Sequence, residues 1–164
     1  MNIVWILVCD AAKARLFEIR QGDPSWHPVE LVMHEASRSK ASELVSDKAG
    51  SRSSEGGSVH HNALAPGSSP KNVEKDHFAH SLATTLDRAL RATRFRNWVL
   101  VAPPHFLGLM KKELGSELAK SLMATVDKDL TGLDIHALAE RLHGAVRIPV
   151  NNLAAIRENT KHVH

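Results

Sequence analysis

Seven apolar residues in succession, Ile3 to Cys9 with Trp5 among them, read as a strand buried on both faces. Asp10-Ala11-Ala12-Lys13 interrupts this run, and Arg15-Leu16-Phe17-Glu18-Ile19 then alternates as a second strand returning from a short turn does. A further break at Gln21-Gly22-Asp23-Pro24 precedes Pro28 to Glu35. There Val29, Leu31 and Met33 fall on one side and Glu30, Val32 and His34 on the other, which predicts a third strand.

The pattern then stops. Of the residues from Ser37 to Asn72, ten are Ser, four Gly and two Pro, with few large apolar side chains besides Leu44 and Leu64. Such a segment buries too little area to offset its ordering entropy, so a long flexible loop is expected at 37–72. Five Lys and Arg against three acids make it mildly basic.

Periodicity resumes near Ser69-Pro70 or Asn72. Phe78, Leu82, Leu86 and Leu90 repeat every four residues with Ala79, Ala83 and Ala89 beside them, predicting a helix that runs to about Arg94. Trp98 to Ala102 reads as a short strand stopped by Pro103-Pro104. Leu107, Met110, Leu114, Leu118 and Leu122 then predict a second helix, and Met123 to Val126 a last core strand. Asp134 is placed to cap a third helix that carries Ile135, Leu138, Ala139 and Leu142 inward and ends at Gly144. Val146 to Val150 suits an edge strand, and the residues after Val150 read as a tail.

The sum is an α/β fold at the α+β border, a mixed sheet of about five strands with three helices packed on it. The expected organisation is a single domain over 1–144, with its loop at 37–72, and a C-terminal extension over 145–164. At 164 residues and 43% hydrophobic composition the chain has enough apolar side chains for one core.

Charge and composition narrow the function classes. The net charge of +3 permits nucleic-acid binding without demanding it. Four Phe, three Trp and no Tyr leave little for a platform that stacks single-stranded bases. One cysteine, Cys9, excludes a scaffold stapled by internal disulfides. The run at Ile3–Cys9 is short, is preceded by no Lys or Arg and is followed at once by Asp10, so a buried strand is expected rather than a signal peptide. No stretch is long enough to predict a membrane span, and a cytoplasmic location is expected.

Motifs for phosphate cradling (GxxxxGK[ST]), dinucleotide binding (GxGxxG), the serine esterase elbow (GxSxG) and paired CxxC are missing, which favours a protein without catalytic activity. His60 and His61 in the loop, with His77 and His80 at helical i, i+3 spacing, raise the question of a metal. With eleven histidines in the chain such neighbours arise by chance, and no acid or cysteine falls at a defining spacing, so neither a metal nor another cofactor is expected. Arg88, Arg91 and Arg94 form a cationic stripe, which suits either a solvated helix face or phosphate contacts. Gly56-Gly57 between Glu55 and Ser58 allows close backbone approach to a ligand, or plain flexibility.

Several of these segments together resemble the bacterial host attachment protein family: Leu7 to Glu18, Leu44 to Gly50, Glu74 to Ala79, Leu100 to Gly108 and Val126 to Thr131. They occur in the family's order over roughly residues 4 to 143. More distantly, the succession of strand, turn, strand, strand, glycine-bearing loop, long helix, strand and helix is similar to the middle domain of the class I release factors of archaea and eukaryotes. The GGQ loop of that family enters the ribosomal peptidyl transferase centre. Gly56-Gly57 hold the comparable place, with Ser58 where that family has glutamine.

The resemblance implies a middle-domain-like fold and a role beside RNA, without the glutamine side chain. The leading expectation is a cytoplasmic, non-catalytic factor that contacts rRNA, tRNA or the ribosome through Arg52, Gly56, Gly57, Ser58 and His60, with Lys71, Arg88 and Arg91 on phosphates. Two alternatives stand beside it. One is an interaction module whose loop folds on a protein partner and affects attachment indirectly. The other is a hydrolase of peptidyl-tRNA or another ester, with His60 or His61 orienting water.

Overall fold

A computed structural model of the protein describes residues 2–34 and 70–145. Within them the chain forms β1 (Ile3–Cys9), β2 (Lys13–Arg20), β3 (Asp23–Met33), α1 (Pro70–Arg91), β4 (Asn97–Val101), α2 (Pro104–Glu113), α3 (Ser116–Ser121), β5 (Leu122–Val126) and α4 (Ile135–Ala145). The five strands make one sheet in the order β3-β2-β1-β4-β5. β1, β2 and β3 are an antiparallel meander, whereas β4 and β5 run parallel to β1. The sheet is therefore mixed and the fold α+β. Apart from Pro70 to Asn72 and Ala145, the Ser- and Gly-rich segment at 37–72 and the extension at 145–164 lie outside the described residues, and so does the edge strand expected at Val146–Val150.

β1 is apolar throughout because both its faces are covered. Trp5, Leu7 and Cys9 join Trp98, Leu100 and Ala102 beneath α1, α2 and α3, whose Phe78, Leu82, Leu86, Phe106, Met110 and Leu118 are buried there. Val4, Ile6 and Val8 join Val99, Val101 and Val126 on the opposite face, where α4 contributes Leu138, Ala139 and Leu142. Three layers result. Fully burying side chains of this size contributes about 1.5–3 kcal/mol each before the entropy of ordering them is set against it.

Four details depart from the periodicity. First, β3 starts at Asp23 rather than Pro28, because the break before it is only a hairpin turn of Gln21 and Gly22, with Gly22 at φ +86°, which costs a glycine nothing. Pro28 is tolerated because β3 is an edge strand. Second, the β2–β3 register shifts between Leu16, opposite Glu30, and Phe17, opposite Pro28, so Val29 is an extra residue. Val29 accordingly packs with Val32 on the α1 side, while Leu31 and Met33 stay on the other. Strict alternation had grouped Val29 with Leu31 and Met33.

Third, the helix expected to run from Leu107 to Leu122 is two, which gives four helices among the described residues instead of three. Leu114 is extended (φ −72°, ψ 123°) and Gly115 caps a new helix. The kink sets Leu118 in the core with its carbonyl accepting the Trp98 Nε1–H at 2.9 Å, so a buried indole is satisfied by a helix that ends early. Fourth, α1 ends at Arg91 rather than Arg94, in a Schellman turn. Thr93 N–H donates to Leu90 O at 2.9 Å and Arg94 N–H to Ala89 O at 3.0 Å, with Thr93 at φ 56°.

Candidate functional site

Parallel strands in an open sheet direct their carboxyl ends to one rim, where loops gather and ligands commonly sit. Here that rim holds Asp10 after β1, Pro103 and the start of α2 after β4, and Asp127 to Asp134 after β5. β3 runs the same way as β1 and delivers His34 there. Its backbone N–H donates to Ala12 O at 2.8 Å, and its ring stacks on Phe78 of α1 with centroids 4.7 Å apart. Phe78 in turn lies 5.9 Å from Phe106 of α2. Both ends of the 35–69 segment, the end of β3 and the start of α1, thus meet the same rim.

The rim is tied together by Thr131, the one buried polar or charged residue among the described residues. Its hydroxyl lies 2.9 Å from Asp10 Oδ2 and 2.9 Å from Asp129 Oδ1, so one hydroxyl hydrogen serves two carboxylates. Asp10 Oδ1 also accepts the N–H groups of Ala12 and Lys13 at 2.7 and 2.8 Å, which builds the β1–β2 turn. Arg15 closes the arrangement from the next strand, its guanidinium donating to the carbonyls of Thr131 and Leu133 and lying 5.1 Å over the Phe17 ring. Every group here is engaged in bracing the loop after β5 to the β1–β2 hairpin. The Thr131 hydroxyl faces carboxylates rather than a histidine, and burial, aided by the Asp10 charge, pushes the Cys9 thiol far up from its ordinary value. Neither group is an activated nucleophile.

The residues singled out for RNA contact divide into three groups. Arg52, Gly56, Gly57, Ser58 and His60 lie outside the described residues. Lys71 stands exposed in the first turn of α1, beside the rim. Arg88 and Arg91 are in its last turn, roughly 25 Å further along at 1.5 Å per residue. Lys71 and the two arginines therefore belong to opposite rims of the sheet. Arg91 pairs with Asp87 at 2.7 Å. Arg94 lies 4.9 Å over the Trp5 ring. Burial raises the pKa of the Glu18 carboxyl, but hydrogen bonds from Arg20 and Trp5, then the Arg20 charge and last that of Arg94, together outweigh it and hold the carboxyl below its ordinary value. His80, weighed as a metal ligand, is 2.8 Å from Glu113 and links α1 to α2. Among the described residues no three His, Cys, Asp or Glu side chains are grouped to hold a metal, and no helix is long and apolar enough to cross a membrane.

The Thr131 brace was not foreseen. Its signal in the sequence is Asp127-Lys128-Asp129-Leu130-Thr131, a polar loop with a short hydroxylated side chain, but nothing in spacing pairs it with Asp10.

The described architecture has a counterpart among solved structures. The crystal structure of an archaeal translation termination factor superposes with a TM-score of 0.54 at 12% sequence identity, covering 98% of this chain and 41% of that one. The likeness is one of fold, and this chain corresponds to less than half of the termination factor. No curated protein matches the sequence. A family profile described as "Protein required for attachment to host cells" does match, over residues 5–142, a span from β1 to α4 that includes the Asp10, Arg15 and Thr131 brace. The chain belongs to the family of proteins required for attachment to host cells.

Proposed function

We propose that this protein is a cytoplasmic, non-catalytic factor that binds RNA on or beside the ribosome, and that attachment to host cells depends on it indirectly. The observation that carries this reading is the fold likeness to a translation termination factor. The reading is supported further by the positions of the end of β3 and the start of α1, the described elements on either side of residues 35–69, at the rim where the parallel strands present their carboxyl ends. In this reading Arg52, Gly56, Gly57, Ser58 and His60 approach RNA, and Lys71 makes the adjoining phosphate contact. Arg88 and Arg91, at the opposite rim with Arg94 and Arg96 beyond them, make a second phosphate footprint. A non-catalytic role is supported by the engagement of Asp10, Asp129 and Thr131 with one another.

Cosedimentation of the purified protein with ribosomes across a salt series tests the reading. Binding that falls steeply with salt and is lost in Gly57→Pro, with the fold intact by circular dichroism, is expected. Salt-insensitive binding, or a Gly57→Pro variant that binds normally, would overturn it. Peptidyl-tRNA on ribosomes is expected to stay intact in the presence of the protein.

A further inference from the structure

The two faces of the sheet are covered unequally. Three helices lie on one face, whereas on the other α4 is the single helix among the described residues, and its core partners are on β1, β4 and β5 together with Phe17, Ile19 and Trp26. On the β2–β3 side of that face a groove of about 300 Å3 opens, walled by Phe17, Pro28, Leu31 and Ile135 with Arg15 at its head. Leu31 is 62% exposed and its neighbour Met33 40%, large apolar side chains that an ordinary edge strand would replace with polar ones.

Two cations of β2 edge the groove, and one acid, Glu30, borders it from β3. Lys13 and Arg15 alternate with Ala14 on β2 and so share a face. Across the ladder Lys13 is opposite Met33, Arg15 opposite Leu31 and Phe17 opposite Pro28, an apolar strip edged by two cations. Arg15 is held by backbone carbonyls, and neither it nor Lys13 has a carboxylate within ion-pair distance among the described residues. Glu30 borders the groove but stands opposite Leu16, and it also lines a cleft with Val32, Leu82 and Leu86 on the α1 side. Asp10 and Asp129 are bound to Thr131.

We infer that this strip is a docking surface for an acidic amphipathic segment of a protein partner, which lies beside α4 and completes the helical layer. Its apolar positions enter between Leu31 and Ile135, and its carboxylates pair with Lys13 and Arg15. Charge decides between occupants. Residues 146–164 of this chain carry Arg147, Arg157 and Lys161 against Glu158, the wrong sign for a surface edged by lysine and arginine. A second copy packed face to face about a two-fold axis would set the same cations against each other. The surface shares no residue with the RNA contacts proposed above, so either reading can fail without the other.

Selection of amphipathic peptides from a phage-displayed library against the full-length protein tests the inference. The expected winners carry Glu or Asp beside Leu, Ile or Phe at helical spacing. Their affinity, measured with synthetic labelled peptides, is expected to fall at least tenfold in Leu31→Asp and in Lys13→Glu, both solvent-accessible changes. Retention of the native thermal transition in each variant assigns the loss to the surface. The inference is overturned by winners that are basic, by binders indifferent to both substitutions, or by a library that yields none. It is overturned equally by a concentration-dependent dimer abolished by Leu31→Asp, which would give the surface to a second copy. Binding that appears only after deletion of residues 146–164 would give it to the chain's own extension.

Discussion

Thr131 and Asp10, 121 positions apart, meet through a 2.9 Å hydrogen bond that joins the loop after β5 to the turn after β1. The same hydroxyl reaches Asp129, and Arg15 holds the Thr131 and Leu133 carbonyls from the side. This brace fixes the height of the rim from which β1, β4 and β5 present their carboxyl ends. Thr131→Val keeps the shape and removes the hydroxyl, leaving two carboxylates to be solvated elsewhere, and is expected to cost about 1–2 kcal/mol in urea denaturation. Asp10→Ala is expected to cost more, since it also deletes the acceptor for the Ala12 and Lys13 amides. The double variant is expected to be less destabilised than the sum of the two, because both single changes break the same bond. Strict additivity would show that the bond contributes nothing.

Cys9 ends β1 in the middle of this rim and is fully buried. Burial first, and the neighbouring Asp10 charge second, push its thiol well up from the usual cysteine value, which disfavours the reactive thiolate in the folded protein. Ellman's reagent at pH 8 is expected to leave the native protein unmodified and to label one thiol per chain once guanidinium unfolds it. Rapid labelling of the native protein would mean that the β1 end opens on its own.

The elements that were legible in the sequence are those whose burial repeats with one period. β1 is apolar at every position because both faces are covered, and α1 shows its Phe78-Leu82-Leu86 stripe because one face meets the sheet. What escaped was set by single residues acting against the period. Val29 is inserted opposite a continuous β2, and so moves to the face away from Leu31. Leu114 keeps helical spacing but takes an extended backbone, as does Gly115 next to it, and the helix breaks there. The brace escaped for a different reason: Asp10 and Thr131 are ordinary turn residues whose meeting depends on the strand order, and no local pattern encodes a contact over that separation. The residues named for RNA contact were read from resemblance and charge, and only Lys71, Arg88 and Arg91 of them fall on described elements, at the two ends of one helix.

At the opposite end of the sheet, Asp23 opens β3 by accepting the Ser25 N–H at 2.9 Å and lying 2.7 Å from His27 Nε2. The backbone bond from Ser25 and then the His27 contact lower its pKa from the usual 3.8 to about 2. A folded-state value below the unfolded one makes the carboxylate stabilising above about pH 4, with that contribution lost as the pH falls through about 2. Asp23→Asn is therefore expected to flatten the stability profile between pH 4 and 2 and to leave its shape above pH 5 unchanged. An NMR titration of the Asp23 carboxyl carbon with a midpoint near 3.8 would refute the assignment.

Thr93 carries the last prediction, because it is a β-branched residue at φ 56°, where only glycine is free of steric cost. The conformation is imposed from both sides. Its own N–H and that of Arg94 close α1 onto Leu90 and Ala89, and the reversal sets Phe95 against Trp5 at 4.6 Å and Arg94 over the same indole. Left-handed backbone costs a residue with a Cβ about 1–2 kcal/mol. Glycine removes that cost but adds unfolded-chain entropy worth about 0.4–1 kcal/mol. Thr93→Gly is thus expected to stabilise the protein by about 0.5–1 kcal/mol, seen as a higher urea midpoint at unchanged slope. Thr93→Val keeps the branching, loses the hydroxyl and is expected to give no gain. If glycine destabilised instead, the helix end would have to be held by the threonine side chain rather than by the Ala89 and Leu90 carbonyls.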